Sequence, residues 1–141
     1  MALYPYQEQV KTLIQSGKSV VLQAPTGAGK TRAALSPFIE GFFDHAPETS
    51  PRKCIYIVPM RVLANQFEYE YREYATAYQR KFGRKIQVRI QTGERPEDRR
   101  FEGDLVFCTV DQFLSSYMTI PYSLPHRLAN LNAGALTGAY I

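Results

Sequence analysis

Ala24-Pro25-Thr26-Gly27-Ala28-Gly29-Lys30-Thr31 is the stretch from which the rest of this 141-residue chain is read. It follows the pattern Gly-x-x-x-x-Gly-Lys-Thr at every specified position but the first, where Ala24 stands. Gly27 and Gly29 let the backbone turn so that successive N–H groups face one anion. A helix opening at the end of the loop adds the positive end of its dipole. The Lys30 ammonium can then reach β- and γ-phosphate oxygens, and the Thr31 hydroxyl can ligate Mg²⁺. The stretch therefore predicts a site for a nucleoside triphosphate, with Lys30 and Thr31 as its catalytic pair. By itself it does not separate one class of phosphate-loop protein from another.

Working outward, Ser19–Ala24 is a compact apolar run, expected as a buried parallel strand entering the loop. Before it, Pro5 suits a first helical position, and Tyr6–Gln15 reads as an amphipathic helix stopped at Gly17. After the loop a helix is expected from Gly29 to Phe43, kinked or shortened by Pro37. Ala46–Pro51 reads as a loop. Cys54–Val58 is a second buried strand, broken by Pro59. Val62–Phe82 is a Tyr-rich helix closed by Arg80, Lys81 and Gly83. Ile86–Ile90 alternates as a strand does, and Thr92–Gly103 is charged and loop-like. Leu105–Cys108 is another buried strand, followed by a helix from Asp111 to Met118. Pro121 and Pro125 bound a connection, Arg127–Leu131 forms a further short helix, and Gly138–Ile141 begins a strand. Strands alternating with helices imply an α/β fold, with a parallel sheet flanked by helices. The stop at Ile141, inside an apparent strand, is expected to be a C-terminal truncation.

Hydrophobic content of 45% suffices for a core, and no apolar run approaches the roughly 20 residues of a membrane span. Met1–Pro5 has no signal-peptide pattern, so a cytoplasmic protein with no membrane partner is expected. A net charge of +4 is compatible with a polyanionic partner but too mild to require one. Cys54 and Cys108 form no Cys-x-x-Cys pair and are expected as buried thiols. His45 and His126 have no clustered partners, which argues against a metal role for either. Tyr69, Tyr71, Tyr74 and Tyr78 are expected to pack into core and interface rather than to stack on bases. Arg80, Lys81, Arg84 and Lys85 fit a helix end and a solvated strand start.

Further segments narrow the class. Pro59-Met60-Arg61-Val62-Leu63-Ala64-Asn65-Gln66 follows the second strand, where a strand end, an Arg and a helix N-terminus together make a phosphate site. Thr109-Val110-Asp111-Gln112 follows the 105–108 strand. With Ala24–Thr31, these segments resemble superfamily-two helicases of the DEAD/DEAH type, whose first motif commonly begins with Ala. The first of them agrees with that family's Pro-Thr-Arg-Glu-Leu-Ala-x-Gln at Pro59, Arg61, Leu63, Ala64 and Gln66. The resemblance implies nucleic-acid backbone contacts at Pro59, Arg61, Gln66 and Thr109, and more weakly at Thr92 and Gly93, which also suit a plain turn. Thr109 suits a helix cap as well. The family places its adenine-reading glutamine where Gln7 stands, in Tyr4-Pro5-Tyr6-Gln7. An amide can donate and accept at an adenine edge, whereas the plain alternative is an exposed helix residue.

In particular, Thr109–Leu114 with Ile120-Pro121-Tyr122-Ser123-Leu124-Pro125-His126-Arg127 resembles the helicase of type I CRISPR systems. That resemblance implies residues 1–141 as the N-terminal part of a first RecA-like lobe that hydrolyses ATP with Mg²⁺. It also implies single-stranded or unwinding DNA and an RNA-guided surveillance complex as partners. No His-Asp doublet precedes the loop, so the nuclease is expected on a separate subunit, as in type I-D. The family's Asp-Glu motif is expected just past Ile141, and a second lobe with its arginine finger beyond that. Without them, 1–141 is expected to bind ATP weakly and to turn none over. A non-catalytic docking module, or another phosphate-loop enzyme, is the alternative.

Overall fold

The computed structural model describes residues 3–43, 51–120, 122 and 124–141. Two compact units divide the chain, residues 1–50 and 51–141. Most of the 46–51 loop, Pro121 and Ser123 within the 120–127 stretch, and His45 lie outside the described residues.

In the first unit, helix α1 (Pro5–Gln15) begins with Pro5 at its first turn, where a missing N–H costs nothing. Gly17, at φ +77°, turns the chain out of it. Helix α2 (Lys30–Phe43) opens directly from the glycine loop. It runs through Pro37 to Phe43, so of the expected kink or shortening the shortening does not occur. Buried Ala33, Leu35, Phe38 and Ile39 give the helix enough apolar cover to hold it past the lost hydrogen bond. The Lys11 ammonium pairs with Glu40, tying α1 to α2.

One expectation fails here. Ser19–Ala24 is not a buried strand: it joins no ladder and Val21 is fully exposed. A strand exists by virtue of its neighbours, and the first unit contains no other strand among its described residues for this run to pair with.

The second unit is a three-stranded parallel sheet of β1 (Cys54–Val58), β2 (Val88–Gln91) and β3 (Leu105–Thr109), in the order β1-β3-β2. Beyond β1, Tyr140 forms a single parallel bridge to Cys54, as expected of a strand starting at Gly138. Side chains alternate between the two faces. Val58 and Ile90, with half-buried Tyr56, meet helix α3 (Arg61–Phe82) through Ala64, Leu63 and Phe67. On the opposite face Ile55, Val106 and Cys108 meet Phe113 of helix α4 (Val110–Tyr117) and Leu136 of helix α5 (Ala129–Leu136). A 3₁₀ turn, His126–Leu128, leads into α5. Helices thus cover both faces, so β1 and β3 read as continuous apolar runs.

Gly83 ends α3 in the left-handed conformation at φ +70°, with Arg80 and Lys81 in its last turn. Of the α3 tyrosines only Tyr71 reaches the core, its ring 5.7 Å from that of buried Phe107. Tyr69 and Tyr74 are exposed, and the Tyr74 ring lies tilted against that of Tyr78 at 4.7 Å. Core packing therefore holds for Tyr71, while Tyr78 is half-buried and packs against Tyr74 and Phe82. Both cysteines are buried, and burial pushes the Cys108 thiol up to about 12 and the Cys54 thiol well above its usual range. No described helix is long and apolar enough to cross a membrane.

Candidate functional site

The phosphate loop takes the shape its glycines predict. Gly27 and Gly29 sit at φ +80° and +85°, a region that side chains rarely adopt. Ala28 N–H bonds the Pro25 carbonyl at 3.2 Å, closing the turn. As α2 opens, Ala33 N–H bonds the Gly29 carbonyl at 3.0 Å, so the helix start lies directly against the loop. Lys30 Nζ donates to the carbonyls of Ala24 and Pro25, at 2.7 and 2.8 Å, placing its ammonium across the mouth of the loop. Thr26 and Pro25 are exposed on the rim, whereas Thr31 is half-buried at the helix start. Loop and cation fit a triphosphate, and the Thr31 hydroxyl fits a ligand to its Mg²⁺.

Gln7 lies behind this loop, buried rather than exposed. Its Oε1 accepts from Tyr4 N–H at 2.8 Å and its Nε2 donates to the Gly29 carbonyl at 3.1 Å. The Tyr6 hydroxyl donates to the Ala28 carbonyl. A Cβ on Gly29 would lie 2.8 Å from Gln7 Nε2, so Gly29 answers to its neighbour as well as to its backbone angle, whereas Gly27 has nothing within 4 Å. Sequence reading missed Tyr6. Its adjacency to Gln7 was the only signal, and contact with a loop 22 residues away is a tertiary fact.

In the second unit the register aligns Val58 with Thr109, and Gln91 with Cys108, so all three strands end at one edge. Pro59, Arg61, Thr92, Gly93 and Thr109 therefore gather at the carboxyl edge of the sheet, where open α/β sheets bind ligands. Arg61 is exposed at the first position of α3 and its Nη1 meets Glu94 Oε1 at 2.6 Å. Its Nη2 lies 3.8 Å from the position of a Cβ on Gly93. Gln66 is exposed on α3, beyond the first turn.

Thr92 is buried, and its Oγ1 accepts from Arg95 N–H at 3.1 Å, so its side chain serves a turn. Thr109 is the residue before α4 but makes no side-chain cap to it. Its buried hydroxyl lies toward the Asp111 carboxylate and is the main influence holding that group below the usual carboxylate range. The contact is electrostatic rather than a complete hydrogen bond, since the Thr109 oxygen has no partner at bonding geometry.

The 92–97 loop is pinned from below. Arg95 reaches Glu97 at 2.7 Å, Asn65 at 3.1 Å and the buried Glu68 carboxylate at 3.3 Å, and Arg72 also pairs with Glu68. Gln91 Nε2 bonds Gln112 on α4 at 3.1 Å, while Gln91 Oε1 accepts from Asp98 N–H at 3.2 Å. This scaffold was not visible in sequence, because its members are scattered from Asn65 to Gln112 at no fixed spacing. Among the described residues no cluster of His, Cys, Asp and Glu could hold a metal ion by itself.

A glycine loop opening a helix, with a parallel sheet carrying polar groups at its carboxyl edge, defines a phosphate-loop α/β protein. Comparison with known families carries this further: residues 4–132 match the DEAD/DEAH box helicase family. The chain belongs to that family, whose members use ATP. It is 38% identical over 72 residues to rice DEAD-box ATP-dependent RNA helicase 9, which covers 49% of this chain and 12% of that protein. It is 30% identical over 112 residues to the human U5 small nuclear ribonucleoprotein 200 kDa helicase, covering 77% of this chain and 5% of that protein. Similarity to ATP-dependent DNA helicase Hel308 of Thermoplasma volcanium is 30% over 122 residues, 86% of this chain and 16% of that one. The chain thus spans a small part of the length of these relatives.

Proposed function

We propose that this chain is the N-terminal part of the first motor lobe of an ATP-dependent helicase or translocase. Its Ala24–Thr31 loop grips the triphosphate of ATP, and the carboxyl edge of its sheet grips a nucleic-acid backbone. The observation that carries this reading is the convergence of Pro59, Arg61, Thr92, Gly93 and Thr109, from three separate strand ends, on one edge. Backbone phosphates need positioned cations and N–H donors rather than base-reading side chains, and strand ends and helix starts supply them. Lys30 neutralises charge on the β- and γ-phosphates, and Thr31 holds Mg²⁺. Gln7 fixes the loop through the Gly29 carbonyl, and its role at the adenine edge requires that buried amide to exchange this bond for the nucleotide.

The strand is taken to be DNA and the setting type I CRISPR interference, with an RNA-guided complex and a separate nuclease subunit as partners in the cytoplasm. The support is the Thr109–Leu114 segment with the 120–127 stretch; of the relatives reported above, Hel308 is named a DNA helicase and the rice protein an RNA helicase. The full-length protein is expected to hydrolyse ATP faster with single-stranded DNA than without it, and to separate a DNA duplex. Lys30→Ala should abolish both activities. Equal stimulation by RNA would move the substrate class, and ATP binding with neither stimulation nor unwinding would leave only a docking module.

A further inference from the structure

At the proposed backbone-binding edge, the most exposed cation is not unpartnered. Arg61 and Glu94, 54% and 63% exposed, make with each other the one ion pair that either forms among the described residues. An exposed pair of this kind contributes at most about 1 kcal/mol to stability, so the fold does not depend on it. Its placement is nevertheless fixed. The backbone of Glu94 is held between Thr92 and Arg95, which exchange hydrogen bonds at 3.1 and 3.2 Å, and Pro96 bridges back to Gln91. Arg95 is anchored in turn on Glu68 of α3, the helix that carries Arg61. The turn that presents the Glu94 carboxylate to Arg61 is therefore braced.

A carboxylate binds a guanidinium in the geometry a phosphate uses. We propose that Glu94 is an affinity-setting residue of the nucleic-acid interface, standing in for a backbone phosphate on Arg61 until a strand displaces it. This rests on the reading of Arg61 as a backbone contact. Exchange of one anion for another on Arg61 weakens strand binding and removes that contact from the counterion balance, since Glu94 gains a counterion as the phosphate loses one.

The test is titration of the full-length protein into fluorescein-labelled oligo-deoxythymidine and oligo-uridine over a range of salt. Glu94→Gln should tighten binding roughly two- to fivefold. It should also steepen the dependence of log affinity on log salt by about 0.7. Both effects should vanish in the Arg61→Gln background. Glu102→Gln, which removes a charge from the same stretch but not from Arg61, should leave both readouts unchanged. Equal tightening by Glu94→Gln with and without Arg61 would mean general repulsion and would overturn the proposal, as would no tightening at all. If Arg61→Gln alone leaves binding unaltered, the backbone-contact reading of Arg61 falls, and this inference with it.

Discussion

Gly27 and Gly29 offer a controlled comparison, since they share a backbone conformation and differ in what surrounds them. At φ +80° and +85°, an alanine at either position meets the same local strain, about 1–2 kcal/mol. At Gly27 nothing else changes, because no heavy atom lies within 4 Å of the new Cβ. At Gly29 the Cβ would come within 2.8 Å of Gln7 Nε2. That nitrogen is the far end of a side chain and can swing away, but it is buried and bonded to the Gly29 carbonyl. Displacement breaks that bond and strands a buried amide, adding about 1–3 kcal/mol. Gly29→Ala should therefore destabilise the protein by about 2–5 kcal/mol, and Gly27→Ala by about 1–2 kcal/mol. Urea denaturation of each variant measures the difference. In a Gln7→Ala background the excess at Gly29 should disappear. Equal costs at the two glycines, or an excess that survives loss of Gln7, would refute the proposed bracing of the loop by Gln7.

Two further outcomes follow from the second unit. Asp111 titrates below the usual carboxylate range because of Thr109, so its charged form is favoured in the folded state. Its contribution is present above the ordinary value of 3.8 and is lost as pH falls through the lower folded value. Asp111→Asn should therefore destabilise at neutral pH, with the gap to the unsubstituted protein closing in acid, as read from urea midpoints across pH. Glu68→Gln removes the buried charge that holds Arg95 and Arg72, at a cost of about 1–3 kcal/mol given that both arginines are part-exposed. Amide exchange should quicken at Thr92–Glu97 more than at Val106–Cys108; equal quickening would count against an anchored turn.

The legible parts of this protein are those whose cause is local. Gly27 and Gly29 announce positive φ, Pro5 and Gly83 punctuate helices, and apolar runs without alternation mark β1 and β3 as doubly covered strands. These features predicted the parallel α/β architecture and the phosphate loop, whereas the candidate backbone contacts beside the strand ends were implied by the family resemblance. Ser19–Ala24 shows the limit of this reading, since hydrophobicity describes one segment whereas a ladder needs two. At Pro37 the expected helix bounds held, because a helix tolerates the lost bond when enough of its face is buried.

The sequence by itself determined the backbone grammar of the Ala24–Thr31 loop, because left-handed angles and helix starts are set by the residues that adopt them. Tertiary structure alone decided that Gln7 braces Gly29 and that Glu94 sits on Arg61, whereas the turn at Thr92 was one of the two readings the sequence offered. Those two pairings depend on groups brought together across 22 and 33 residues of chain. A pairing over such distances is chosen by packing, and no local pattern encodes which partner a polar side chain will meet.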